Sequence, residues 1–226
     1  MELPNVVPVM TLPSATLFPQ ALLPLYIFET RYRRMLADSL KSDRMFSVAM
    51  QKPDRQRESP CKVAGLGLIR VSVDHQDGTS HLILQGLTRV ELVSTVQLKP
   101  YRLAAIRPLV AEQDNRVLID ALVAKVHELV EERVQMAPPP FPFAGLKNSG
   151  GKKGAASQEN FAPGEVLQYL ESIQDPEQLS DLVSCALLSG AIERQTILET
   201  VPVEERLKHL IHFLMEEIRR LRSDKG

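Results

Sequence analysis

The stretch LFPQALLPLYIFETRYRRML (residues 17–36) changes character halfway along. Its first half is an apolar run broken by Pro19 and Pro24, and proline cannot donate to a β-ladder. Such a segment belongs at an edge, a bulge or a corner of a sheet. From about Glu29 the spacing turns helical: Phe28, Tyr32, Met35, Leu36 and Leu40 recur on one face, as in an amphipathic helix. Arg31, Arg33 and Arg34 mostly face elsewhere and read as a solvated side. The spacing predicts one helix packed across the mouth of a sheet.

The sheet is written in the segments that follow. MFSVAM (45–50) is an apolar run of strand length, and VAGLGLIRVSV (63–73) is rich in β-branched residues, with Gly65 and Gly67 marking a bend or bulge. Asp77-Gly78 is a hairpin signal because the turn needs positive φ. HLILQGLTRVEL (81–92) returns as the partner strand, and residues 93–98 and 101–109 predict two further strands. Short strands at this spacing point to an antiparallel barrel or sandwich. Residues 1–113 therefore read as a β subdomain with one packed helix.

The second half, residues 114–226, is helical. Ile119, Leu122, Val123, Val126, Val130 and Val134 form one apolar face between residues 115 and 136. A Pro-, Gly- and Ser-rich segment at about 137–164 reads as a long flexible loop. Asp175-Pro176-Glu177-Gln178 then starts a helix, with an Asp cap, Pro in the first turn and Gln placed to close a capping box. A short piece at 195–200 and a long final helix at 203–222 complete the chain.

The totals narrow the function. The 226 residues are 44% hydrophobic and 24% charged, ordinary values for a globular protein. No apolar run approaches the roughly 20 residues of a membrane span. Pro4, Pro8, Pro13 and Pro19 interrupt the start, so no secretory leader is expected. Cys61 and Cys185 are too few for a disulfide framework, and a cytoplasmic protein with reduced thiols is expected. Residues 1–113 carry 14 Lys+Arg against 10 Asp+Glu, and residues 114–226 carry 13 against 18. That basic excess is too dilute to demand a phosphate backbone, so nucleic acid is disfavoured.

Catalytic patterns are weak. His209, His212, Glu205 and Glu216 share a face of the last helix at metal-site spacing. Leu207, Leu210, Ile211, Leu214, Ile218 and Leu221 occupy the opposite, buried face, so the stripe reads as surface decoration and no metal is expected. GGKKGAAS (150–157) lacks the first glycine and the Ser/Thr of a phosphate loop. Ser189-Gly190 lacks the flanks of a nucleophile elbow, and neither cysteine has a catalytic setting. No enzyme and no cofactor are expected. Phe141 and Phe143 lie in the Pro-rich loop without a period that would bury them, and they are the candidate polypeptide contact.

The opening stretch resembles the start of the Lon protease N-terminal domain family, where Phe-Pro, Leu-Pro-Leu and Ile-Phe-Glu-x-Arg-Tyr lead into the first helix. GLTRV (86–90) is similar to a later strand motif of that family, and DPEQLSDLVSCALL, QTILET and VEERLKHLIHFLMEEI follow in the family's order. The resemblance covers nearly the whole chain. It implies an α+β fold: a PUA-like antiparallel β-pseudobarrel followed by an α-helical bundle. It also implies a non-catalytic module that binds unfolded or flexible polypeptide, as an adaptor in protein quality control; Phe141 and Phe143, if exposed, would equally serve self-association, as a contact with a second copy of the chain. The ATPase and peptidase parts of such proteases lie further along, so a protease label would be inherited from the family alone. The alternative is an RNA-binding PUA-like module. The junction of barrel and bundle is the default site. Gln20 stands where relatives commonly carry Gly, and Pro202 where they carry Asp. The turn after Pro19 is thus expected to differ, and the last helix to start with Pro in its first turn.

Overall fold

The computed structural model describes residues 2–55, 57–111, 116–137 and 163–223. The elements run β1 (Val6–Leu12), β2 (Leu22–Ile27), α1 (Thr30–Leu40), β3 (Met45–Met50), β4 (Val63–Asp74), β5 (Ser80–Gln97), β6 (Arg102–Pro108), α2 (Arg116–Met136), α3 (Pro163–Glu171), α4 (Pro176–Leu187), α5 (Ala191–Glu199) and α6 (Val203–Ser223). Two compact units result, Met1–Val110 and Ala111–Gly226.

In the first unit the strand order is β2-β5-β4-β3-β1-β6, and β6 pairs again with β5. The length of β5 makes this closure work. One edge carries β4 from Ser80 to Glu91. The other edge carries β2 against Ser80–Gln85 and then β6 against Val90–Gln97. Five strands close into a barrel, and β2 remains as an added strand with no strand on its other side among the described residues. All pairings are antiparallel except β1–β3, so the sheet is mixed.

Residues 93–98, expected as a separate strand, instead continue β5 through two register shifts at Val93 and Val96. β1 was not read from the sequence because Pro4, Pro8 and Pro13 punctuate it; Pro8 pairs within the strand opposite Leu103. Pro24 sits in β2, at the free margin of the sheet, where a missing N–H is tolerated.

The opening stretch closes one end of the barrel. Leu17 and Phe18 are fully buried, each worth about 1.5–3 kcal/mol of transfer free energy. Their backbone crosses so close to β4 and β5 that a Cβ on Gly65 would lie 1.9 Å from the Leu17 carbonyl oxygen, and one on Gly86 1.9 Å from that of Phe18. A turn follows, with Ala21 N–H donating to the Phe18 carbonyl and Gln20 N–H to that of Gly86. Gln20 adopts φ 62° there, so this chain keeps the glycine-type turn despite the side chain. In α1, Tyr32, Met35 and Leu36 are buried among Met10, Phe46, Ile69 and Leu84, as the spacing predicted. Phe28 is the exception: it precedes the helix and points outward.

In the second unit, Ile119, Val126, Leu129, Val130 and Val134 of α2 and Leu207, Leu210, Leu214 and Ile218 of α6 are buried. Arg133 and Glu217, both nearly inaccessible, pair across these helices at 3.5 Å. The Asp175 carboxylate accepts from the Glu177 N–H at 3.0 Å, capping α4 as read from the sequence. Pro202 lies one position before the expected place: its carbonyl takes the first helical bond, from Arg206 N–H, so it is the cap residue and not the first helical one. The Arg206 guanidinium, fully buried, donates to the Thr200 and Val201 carbonyls and faces Asp181 and Glu177.

Candidate functional site

Apolar side chains that a barrel should hide stand on the outer face of β2, β5 and β4. Tyr26 is 49% exposed, Phe28 60%, Ile83 37%, Val71 48% and Val73 53%. Strand register makes them one surface. Tyr26 lies opposite His81, which lies opposite Val73; Pro24 lies opposite Ile83, which lies opposite Val71. Cross-strand neighbours of this kind sit within contact range.

Two features of the sequence put them there. Residues 22–27 are apolar on both parities, so when Leu23 and Leu25 turn to the core, Tyr26 and Pro24 must turn out. In β4, Ile69 faces the core, and by strict alternation Val71 and Val73 would too. A bulge at Arg70, between Ile69 and Val71, reverses the phase and aims both valines at solvent.

Four rings run across the patch. Phe28 and Tyr26 have centroids 5.8 Å apart, Tyr26 and His81 4.7 Å, and His81 and His75 4.9 Å. His75 Nε2 and His81 Nδ1 are 2.7 Å apart. The hairpin turn beyond them is fixed by Gly78 at φ 76° and by the Asp77 carboxylate. That carboxylate accepts from the Thr79 hydroxyl and N–H, bonds that hold it below the usual carboxylate range. The Arg33 guanidinium rests over Gly78, at the place a Cβ would occupy. The face is therefore apolar at its centre, with cationic and carboxylate groups at its hairpin end.

The other sequence candidates separate. Phe141 and Phe143 lie outside the described residues. Of the three arginines of α1, Arg33 and Arg34 are exposed as expected. Arg31 is not simply solvated: it stacks on Tyr32 and pairs with Glu29 at 2.8 Å and with Glu58, which Thr11 and Arg102 also approach. On α6, His209 meets the Thr200 hydroxyl at 3.2 Å and His212 meets Glu216 at 3.6 Å. Among the described residues no three His, Cys, Asp or Glu side chains group as a metal site. No disulfide joins Cys61 and Cys185, and burial pushes the Cys185 thiol up to about 11, which leaves it a poor nucleophile. Among the described residues no helix is long and apolar enough to cross a membrane.

Comparison with known proteins bears on all of this. The sequence model described as the ATP-dependent protease La (LON) substrate-binding domain matches residues 6–216. The Lon protease of Dictyoglomus thermophilum is 24% identical over 220 residues, covering 96% of this chain and 25% of that protein. Lon protease 1 of Hydrogenovibrio crunogenus is 25% identical over 222 residues, covering 96% and 24%. The chain thus spans about a quarter of the length of these curated relatives. Among solved structures, the N-terminal domain of Mycobacterium avium complex Lon protease superimposes with a TM-score of 0.70 at 18% identity, covering 93% of this chain and 98% of that one. A Lon N-terminal domain protein from Xanthomonas campestris gives 0.60 at 16% identity, covering 92% and 98%. These likenesses carry the α+β fold.

Proposed function

The chain belongs to the family of ATP-dependent protease La (LON) substrate-binding domains, and from that premise we propose that it captures unfolded or flexible polypeptide on the outer face of β2, β5 and β4. The carrying observation is the contiguous surface of Pro24, Tyr26, Phe28, Ile83, Val71 and Val73, apolar and exposed on a sheet whose other face is fully used by the core. Exposed contiguous apolar surface of this kind marks an interaction site. Unfolded chains differ from folded ones in presenting aromatic and aliphatic side chains, which such a surface accepts without demanding a sequence. The role is binding without catalysis, as an adaptor that delivers flexible protein, and it needs no cofactor.

Phe141 and Phe143 are proposed as a second contact with the same ligand. Anisotropy of a fluorescently labelled, permanently unfolded protein, titrated with the full chain, tests both. Saturable binding is expected, weakened about ten-fold or more by Tyr26→Ser/Phe28→Ser, because buried aromatic anchors contribute most of such interfaces. Weakening by Phe141→Ser/Phe143→Ser alone would move the contact to those two residues. Absence of binding by the unaltered chain would overturn the reading.

A further inference from the structure

We propose that His75 and His81, at the head of the β4–β5 hairpin, form a binding site for one divalent transition-metal ion, with Cu2+ the best fit. The hairpin brings the two imidazoles together in a hydrogen bond between His75 Nε2 and His81 Nδ1 at 2.7 Å, and the ion would displace the proton they share. Both rings are exposed, so an ion and its waters have access. The hairpin fixes their separation: Val73 pairs with His81, and His75 N–H bonds the Thr79 carbonyl at 2.8 Å. The Tyr26 ring, 4.7 Å from that of His81, limits its rotation on one side.

The ligand type and the short spacing together favour one class of ion. With metal–nitrogen bonds of about 2.0–2.1 Å, a right angle at the ion places the nitrogens about 2.9 Å apart, whereas a tetrahedral angle needs about 3.3 Å. The hydrogen-bonded spacing is nearer to the smaller opening, that of a tetragonal ion such as Cu2+ or Ni2+, and imidazole affinity is highest for Cu2+. The nearby carboxylates are already engaged, Asp74 by the Ser80 hydroxyl and Asp77 by Thr79. They lend negative potential, while the two nitrogens are the protein ligands and water fills the remaining positions. This site stands independently of the polypeptide reading.

The test is a Cu2+ titration of the tag-free full chain against glycine as competitor, with electron paramagnetic resonance of the bound ion. One equivalent is expected, showing hyperfine lines from two imidazole nitrogens. His75→Gln and His81→Gln should each weaken binding by at least the roughly ten-fold that loss of a mere outer partner costs. His209→Gln/His212→Gln should leave binding unchanged, and thermal melts of all variants should match the parent, since the rings are exposed. Binding undiminished in either hairpin variant, binding lost in the α6 variant, or no Cu2+ held against glycine would each overturn the assignment.

Discussion

Gln20 shows what a single residue can conceal. It occupies the third position of the Phe18–Ala21 turn at φ 62°, a conformation that costs an ordinary L-residue about 1–2 kcal/mol. Glycine would remove that strain and give back part of it as unfolded-state entropy. Gln20→Gly should therefore stabilise the protein by about 0.5–1 kcal/mol, or roughly 1–4 °C in Tm, while Gln20→Val should lower it; differential scanning calorimetry decides. The turn was legible from Pro19, since proline presets its second position. The reason for Gly65 and Gly86 was not. Both stand in strands where the Leu17–Phe18 backbone passes over them, a contact between residues far apart in sequence that no local pattern records.

At the scale of elements, α1 is held to the barrel by more than its apolar face. Tyr101, in the segment before β6, donates its hydroxyl to the Asp38 carboxylate at 2.7 Å. Burial, together with this carboxylate, pushes the phenol up to about 12. A phenol that ionises near 10 when unfolded and higher when folded adds stability fully present below pH 10 and lost as pH rises through about 12. Urea midpoints measured from pH 8 to 12 should fall more steeply for the parent than for Tyr101→Phe, the two curves converging at the alkaline end. Parallel curves would show that the clasp contributes nothing. The helix was readable because Tyr32, Met35 and Leu36 keep a 3.6-residue period, and the Asp77-Gly78 hairpin because its turn chemistry is local. Phe28 extended the same period by chance and faces solvent. The exposed apolar face proposed for binding was missed for a related reason: a single bulge at Arg70 reverses the parity of β4, and periodicity alone cannot show where a bulge falls.

For the whole molecule, the division at Val110 has a functional consequence. The first unit contains a closed barrel with two buried clusters, one around Phe46, Met35 and Leu84 and one around Val9, Leu66 and Val90. Every residue of the exposed face belongs to it. A barrel closed by β5–β6 pairing has no need of the helices to complete its hydrogen bonds, and about 100 residues suffice for an independent core. The fragment 1–110 should therefore unfold in one cooperative transition and still bind the labelled unfolded protein saturably, weaker than the full chain only by loss of the second contact at Phe141 and Phe143. A folded fragment that fails to bind would assign capture to residues 111–226, where Phe141 and Phe143 lie. A fragment that does not fold would show instead that the barrel depends on its partner unit, and binding would then have to be mapped by substitution in the intact chain. The first outcome follows if the geometry of β2, β5 and β4 is the site, because nothing in that face comes from beyond Val110.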